Sequence, residues 1–220
     1  MTSKEFIEQQ IAAGYKIHFY RGVWWEKKEP FFYKPVVSLE KILPHESTPV
    51  LLKSFLGYSH LVSDKKLATK YWSVMLLNHE KLKDFGLKSL SSSKRARVRK
   101  GLRLTEVKKI ENIESIIEDI KNICISQAKR TRHGLPPEYY IKHYNKWRSS
   151  IKREFALLKR EWWGIFYNDS LIAYNYGVLV DDTMFIFTAK SHADFLDKCP
   201  NDALLFTFLN YCKSLNSCKK

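Results

Sequence analysis

The sequence predicts an α+β protein built on a mixed, mostly antiparallel sheet flanked by helices. Three observations carry that expectation. Residues 162–191, WWGIFYNDSLIAYNYGVLVDDTMFIFTAKS, read as three consecutive strands, with turn signals at Asn168-Asp169-Ser170 and at Asp181-Asp182. Ahead of them, Ile113, Ile116, Ile117, Ile120, Ile123, Cys124 and Ala128 recur at helical spacing and mark an amphipathic helix with an acidic outer face. Behind them, NDALLFTFLNYCKSL follows Pro200 as a helix that Asn201 or Asp202 can cap. Strands grouped together, with helices grouped on either side, give this fold class.

The remaining elements follow in order. Residues 3–13 read as a short helix. Two strands are expected over 17–25 and 31–37, joined by EKKEP, with Pro30 and Pro35 favouring edge positions or irregular strand ends. Residues 38–64 are loop-rich, punctuated by Pro44 and Pro49, and KYWSVMLLN (70–78) reads as a strand. In SSSKRARVRKGLR, Ser91, Ser92 or Ser93 caps a helix beginning at Lys94, which Gly101 is expected to end. A short strand at 104–107 precedes the amphipathic helix, PPEYYIKHYNKWRSSIKR is a second helix opened by Pro136 and Pro137, and EFALLKR is strand-like. Two regions are expected: 1–86, a β-containing accessory region, and 87–220, the larger core.

Of 220 residues, 45% are apolar and 14% aromatic, enough for a packed core and unlike a disordered chain. The formal charge of +15 favours polyanions, whether nucleic acid, phosphorylated cofactors or anionic lipid headgroups, without choosing among them. The four cysteines form no CxxC pair and no zinc-spaced cluster, so reduced thiols, a cytoplasmic location and no metal are expected. No signal-peptide-like apolar region opens the sequence, and no apolar run is long enough to span a membrane. P-loop, GxGxxG, HExxH and GxSxG motifs are absent, which removes serine-hydrolase and zinc-protease readings.

Several groups are candidates for chemistry. Lys94, Arg95, Arg97, Arg99, Lys100 and Arg103 suit an anion, since guanidinium forks pair with phosphate; the plain alternative is a solvated basic face paired with Glu111 to Glu118. Strand alternation turns Asn175 away from Tyr174 and Tyr176, and a polar residue in the middle of an apolar strand needs a partner. Lys190, Ser191 and His192 follow a strand end, where binding groups are common, and a histidine near its ordinary pKa of ~6.5 suits proton removal from an amine. Arg130, Arg132 and His133 lie in a basic connection between two helices. One tryptophan of the Trp162-Trp163 pair is expected in the core and the other at a cleft or interface.

LSSSKRARVRKGLR, the WWGIFYNDSLIAYNYGVLVDDTMFIFTAKS meander and CPNDALLFTFLNYCKS together resemble the GNAT superfamily of N-acetyltransferases. Within it, they are most similar to the FemAB-type, peptidoglycan-branching group of acyl and aminoacyl transferases. The likeness covers residues 90–214 and implies a GNAT-like sheet. That fold normally continues past the final helix, so the resemblance leads to the expectation that its last strand or strands are missing from this sequence or replaced. FemAB-like proteins often carry two related domains, so 1–86 is read as a partial second half or an accessory region. The resemblance implies N-acyl transfer to an amine from acyl-CoA or aminoacyl-tRNA, with a small-molecule or peptide acceptor and tRNA as a further partner. It implies Tyr174, Asn175, Tyr176 and His192 as catalytic, and Arg95, Arg99, Thr188, Lys190, Ser191 and Asn201 as donor-binding. Arg130, Arg132, His133 and Trp163 are the implied acceptor-binding residues. A cleft is expected between the strands holding Asn175 and Phe187. Where acetyl-CoA users of the superfamily carry a glycine loop, this sequence reads AKSHADFLDKCPNDA, without glycine. Two rival readings stand beside this one: a non-catalytic basic nucleic-acid-binding module, and a degenerate transferase fold kept for protein contacts.

Overall fold

The computed structural model describes residues 1–28, 32–37, 41–42, 57–62, 64, 66, 68, 76–132 and 135–219. The chain divides into two units, Met1–Met75 and Leu76–Lys220.

In the first unit, helix α1 (Ser3–Ala12) starts at a capping box: the Thr2 hydroxyl accepts the Glu5 N–H at 3.2 Å, and the Glu5 carboxylate accepts the Thr2 N–H at 2.7 Å. The single strand expected over 17–25 is two strands, β1 (Ile17–Tyr20) and β2 (Val23–Lys28). They fold back at Arg21-Gly22, whose φ values of 49° and 81° are those of a two-residue hairpin turn. Strand β3 (Phe32–Pro35) pairs antiparallel with β2. The short strands β4 (Lys41–Ile42), β5 (Gly57–Tyr58) and β6 (Leu61–Val62) complete a β1-β2-β3-β5 sheet and a separate β4-β6 pair. Val23, Trp25, Tyr33 and Ile42 form the core of this unit. The strand expected at 70–78 falls mostly outside the described residues.

The second unit opens with α2 (His79–Lys83), capped by Asn78, whose Oδ1 accepts the Lys81 N–H at 3.1 Å. Helix α3 (Ser92–Leu104) has Ser91 as its N-cap. It runs through Gly101 rather than stopping there. A Cβ at that position would lie 2.7 Å from Ala203 Cβ and 2.8 Å from the Cys199 carbonyl, so glycine serves a close helix–helix approach here. Because the helix is longer, the next strand, β7 (Glu106–Lys109), begins two residues later than expected.

Helix α4 (Ile117–Thr131) is the amphipathic helix, and Ile120 and Ile123 on its inner face are fully buried. Each such isoleucine contributes about 1.5–3 kcal/mol on burial. The second expected helix is two, α5 (Pro137–Lys142) and α6 (Tyr144–Ala156), broken at His143, whose φ of −118° is not helical. The EFA segment closes α6 instead of forming a strand, and Lys159, with φ 58°, turns the chain into β8 (Arg160–Tyr167). Strands β9 (Ser170–Val180) and β10 (Thr183–Ser191) follow. The first hairpin turns on Asn168-Asp169 alone (φ 47° and 61°), and Ser170 already pairs with Tyr167. Helix α7 (Pro200–Ser214) has Cys199 in the left-handed region at its N-cap and Pro200 in its first turn, so Asn201 and Asp202 are free for other contacts.

The sheet order is β10-β9-β8-β7, antiparallel throughout. Helices α4, α5 and α6 cover one face, where Ile120, Ile123, Tyr140 and Trp147 pack on Trp162 and Tyr174. Helix α7 covers the other, where Ala203 and Leu204 pack on Ile165 and Ala173. Leu82 of α2 packs with Phe208 of α7. Two bulges interrupt the ladders. Ile172 is the extra residue of β9 against β8, and Phe187 is the extra residue of β10 against β9. Among the described residues no strand lies along the outer side of β10.

Candidate functional site

The register sorts the polar residues of the sheet by face. Trp162 pairs with Tyr176, Tyr176 with Thr188 and Tyr174 with Lys190, so these side chains share the face under α4, α5 and α6. Trp163 pairs with Asn175, and these two share the opposite face, against α7.

On the α4 face two polar knots lie either side of a stack of rings. The Trp162 ring stacks on Tyr176 at 4.2 Å and on Tyr174 at 5.9 Å, and its buried Nε1 has no hydrogen-bond partner among the described residues. The first knot surrounds Cys124 of α4. Lys190 Nζ donates to its sulfur at 3.3 Å, the Tyr174 hydroxyl lies 3.5 Å away, and Tyr140 of α5 is hydrogen-bonded to it as well. Burial first, then the neighbouring Cys124, pushes Tyr140 up to about 12 and holds Tyr174 well above the ordinary phenol range.

The second knot joins the end of α6 to the sheet. Arg160 Nη1 lies 2.8 Å from Glu154 Oε2, with the arginine side chain only 4% exposed. Tyr176 is hydrogen-bonded to both. The guanidinium also sits over the rings of Tyr176 and Phe187, at 5.3 and 5.4 Å. Burial raises the Glu154 carboxyl above its usual value, and Arg160 offsets this only in part. Burial and the Glu154 charge push Tyr176 up to about 12. A carboxylate with raised proton affinity is thus bonded to a phenol that stays protonated at neutral pH. That is the pairing a proton exchange between base and acid requires.

The candidates from sequence distribute as follows. Tyr174, Tyr176, Thr188 and Lys190 come together on the α4 face. Asn175, 1% exposed, is on the other face, and its Oδ1 has no hydrogen-bond partner among the described residues. Ser191 and Asn201 meet, Asn201 Nδ2 donating to Ser191 Oγ at 3.1 Å. His192 Nδ1 accepts the Asp194 N–H at 3.4 Å, and so caps the turn that follows β10. Arg95 donates from Nη2 to the Leu90 carbonyl at 3.2 Å, back along its own helix start, while Arg99 is exposed. Arg130 and Arg132 are exposed at the end of α4, and His133 lies outside the described residues. Trp163 packs on Phe208 and Tyr211 of α7, on the far face from the α4–α5 connection. The expected cleft between β9 and β10 is not there: the two strands pair from Val180–Thr183 to Ala173–Ser191, and the Phe187 bulge is the break in their register. The basic helix meets Asp202 rather than Glu111 to Glu118, with Lys94 at 3.3 Å and Arg97 at 2.8 Å. Among the described residues no cluster of three or more His, Cys, Asp or Glu could hold a metal, and no helix is long and apolar enough to cross a membrane.

Sequence reasoning missed Glu154, Arg160, Cys124 and Tyr140. Arg160 carried a signal: it alternates with Trp162 on one strand, which puts a guanidinium on the buried face and demands a partner.

No family model and no curated protein matches the sequence. Among solved structures the chain is similar to FemX, at 11% identity and a TM-score of 0.56, over 98% of this chain and 80% of that one. The fold is FemX-like. The chain is also similar to the C-terminal domain of a putative lysylphosphatidylglycerol synthetase from Agrobacterium fabrum, at 9% identity and a TM-score of 0.48, over 96% of this chain and 75% of that one. A conserved protein of unknown function from Bacteroides thetaiotaomicron aligns at 16% identity and a TM-score of 0.38, over 57% of this chain and 43% of that one. At these identities the FemX likeness is one of fold alone, and it agrees with the GNAT/FemAB-like architecture that the sequence resembles.

Proposed function

We propose that the chain transfers an acyl or aminoacyl group from an activated donor to an amine. The observation that carries this reading is the Glu154–Arg160–Tyr176 knot, set against the Phe187 bulge of an edge strand. Among the described residues no strand pairs with the outer side of β10, and a strand edge of that kind offers backbone N–H groups to a donor carbonyl. Glu154 takes one proton of the incoming ammonium, the freed amine attacks the carbonyl carbon, and the nitrogen, cationic once the C–N bond has formed, releases its surplus proton to water. The bond to the leaving sulfur or oxygen breaks as Tyr176 gives up its proton to it. The Tyr176–Glu154 hydrogen bond then returns the proton to the phenol and resets the pair. Arg160 steadies both groups. Placing two substrates together is worth up to ~7–11 kcal/mol on its own.

The donor is acyl-CoA or aminoacyl-tRNA, both of which present a carbonyl beside an anionic handle. Arg99, Lys100 and Arg103, exposed on α3, suit that handle. The acceptor is a small-molecule or peptide amine. To test this, the melting temperature is measured with each donor, then transfer of a labelled acyl group to primary amines and lysyl peptides. The reading expects a shift with one donor and a product that Glu154→Gln slows by about 10²–10⁴-fold while donor binding persists. Absence of product from either donor class overturns it. The exposed α3 cations also favour a second reading, non-catalytic nucleic-acid binding. Equal affinity for unrelated RNA and DNA, with a steep salt slope, would select that one.

A further inference from the structure

We infer that Cys212 and Cys218 close into an intramolecular disulfide when the protein meets glutathione disulfide, which makes the turn after α7 a covalent modification site. The geometry is set by the backbone. The Leu215 N–H donates to the Cys212 carbonyl at 3.1 Å, and the Cys218 N–H donates to the Leu215 carbonyl at 3.0 Å. Two successive turns therefore return the chain onto the last turn of α7, where the two thiols are hydrogen-bonded to each other. On the far side, the Lys219 N–H donates to the Asp182 carbonyl in the β9–β10 turn at 2.7 Å, which pins the returning segment. Both cysteines sit in one apolar cluster with Leu82 and Phe208, at 2% and 4% exposure. Sulfurs already in contact need only close to the ~2.05 Å of an S–S bond.

The other two thiols are kept apart. Cys124 is on the α4 face of the sheet, held by Lys190 and Tyr174. Cys199 is at the start of α7, and its thiol points to the Asp197 carbonyl at 3.8 Å. The fold thus chooses the pairing.

The exchange runs in two balanced steps. Local opening of the turn exposes Cys218. Its thiolate attacks one sulfur of glutathione disulfide, that S–S bond breaks, and one glutathione leaves as thiolate. Cys212 then loses its proton and attacks the Cys218 sulfur, and the second glutathione leaves. Each cysteine gives up one electron, and the glutathione disulfide gains two. Cys218 goes first because it lies in the returning segment that opens, while Cys212 stays fixed in the last turn of α7.

The test uses the reduced full chain in glutathione redox buffers, followed by denaturation, alkylation, digestion and mass spectrometry. The expected result is a loss of about 2 Da, the two hydrogens removed in the exchange. Cys212 and Cys218 should resist alkylation in one linked peptide, Cys124 and Cys199 should be alkylated, and dithiothreitol should reverse the change. The Cys218→Ser variant, shown to be folded by a cooperative thermal transition, should show no such loss, and neither should Cys212→Ser. Full alkylation of both cysteines after oxidation, a lasting glutathione adduct on either, or a link to Cys199 overturns the proposal.

Discussion

Arg97 Nη2 lies 2.8 Å from Asp202 Oδ2, so the basic helix α3 is tied to the first turn of α7 by a carboxylate that also faces Lys94 at 3.3 Å. Asp202 is only 10% exposed and sits at a helix N-terminus, where a negative charge is favoured. Both cations are about half exposed, so the pairs contribute no more than about 1 kcal/mol each. Their larger effect is to withhold two positive charges from any polyanion. Asp202→Asn should therefore tighten binding of tRNA at low salt and steepen the log K against log salt slope by about 1–2. Fluorescence anisotropy across a salt series measures this, and an unchanged slope would mean that α3 does not face the ligand.

Glu154 makes stability depend on pH in a direction opposite to that of an ordinary paired carboxylate. Its folded-state pKa is raised, chiefly by burial, above the usual 4.5. Between the unfolded and folded values the native state holds more protons than the unfolded state, so this group's stabilisation is present below pH ~4.5 and is lost as pH rises through the folded pKa. Glu114 and Glu118, lowered by their hydrogen bonds to Lys152 and Lys121, pull the other way, but they are common to wild type and variant. Urea denaturation of wild type and Glu154→Gln from pH 4.5 to 8 should thus show a difference that shifts in favour of the variant with rising pH. Arg160→Met leaves the carboxylate buried and unpaired, and should cost about 3–5 kcal/mol at neutral pH. A flat difference between wild type and Glu154→Gln would show that the carboxyl titrates as if solvated.

Gly101 is the point where α3 and α7 come closest. Alanine would improve helix propensity by about 1 kcal/mol. Its Cβ, however, would meet Ala203 Cβ at 2.7 Å and the Cys199 carbonyl at 2.8 Å, and the second of these is backbone that cannot swing aside. The clash outweighs the propensity gain, and Gly101→Ala should lower stability by a net ~1–3 kcal/mol. Chemical denaturation measures it, and a variant as stable as wild type would mean that the helices have room to separate.

The contrast between β8–β10 and the knots explains what could be read from the chain. The meander was legible because its information is local. Asn168 and Asp169 tolerate positive φ, and the alternation of Tyr174, Asn175 and Tyr176 fixes which side chains share a face. Gly101 was misread because a glycine that stops a helix and one that admits a neighbouring helix look the same in one dimension. The break at His143 has no proline or glycine to announce it. Glu154, Arg160 and Tyr176 come from a helix end and two strands, and Cys124, Tyr140, Tyr174 and Lys190 from two helices and two strands. Only register and helix docking bring each set together. The cleft expected between β9 and β10 came from the family resemblance, and nothing local in those strands could have replaced it with the Phe187 bulge.

Asn175 separates the structural roles of the sheet from its chemical ones. It faces α7, is 1% exposed, and keeps Oδ1 without a hydrogen-bond partner among the described residues. A buried, unsatisfied carbonyl oxygen of this kind costs about 1–3 kcal/mol. Leucine has a similar shape and no polar atoms, so Asn175→Leu should raise stability by about 1 kcal/mol and with it the melting temperature. Because the proposed acid Tyr176 and base Glu154 lie on the opposite face, the proposed acyl transfer should persist in this variant. Calorimetry and the transfer assay together decide the matter. A more stable but inactive variant would move the donor carbonyl to the α7 side of the sheet, and would take the catalytic assignment away from Glu154.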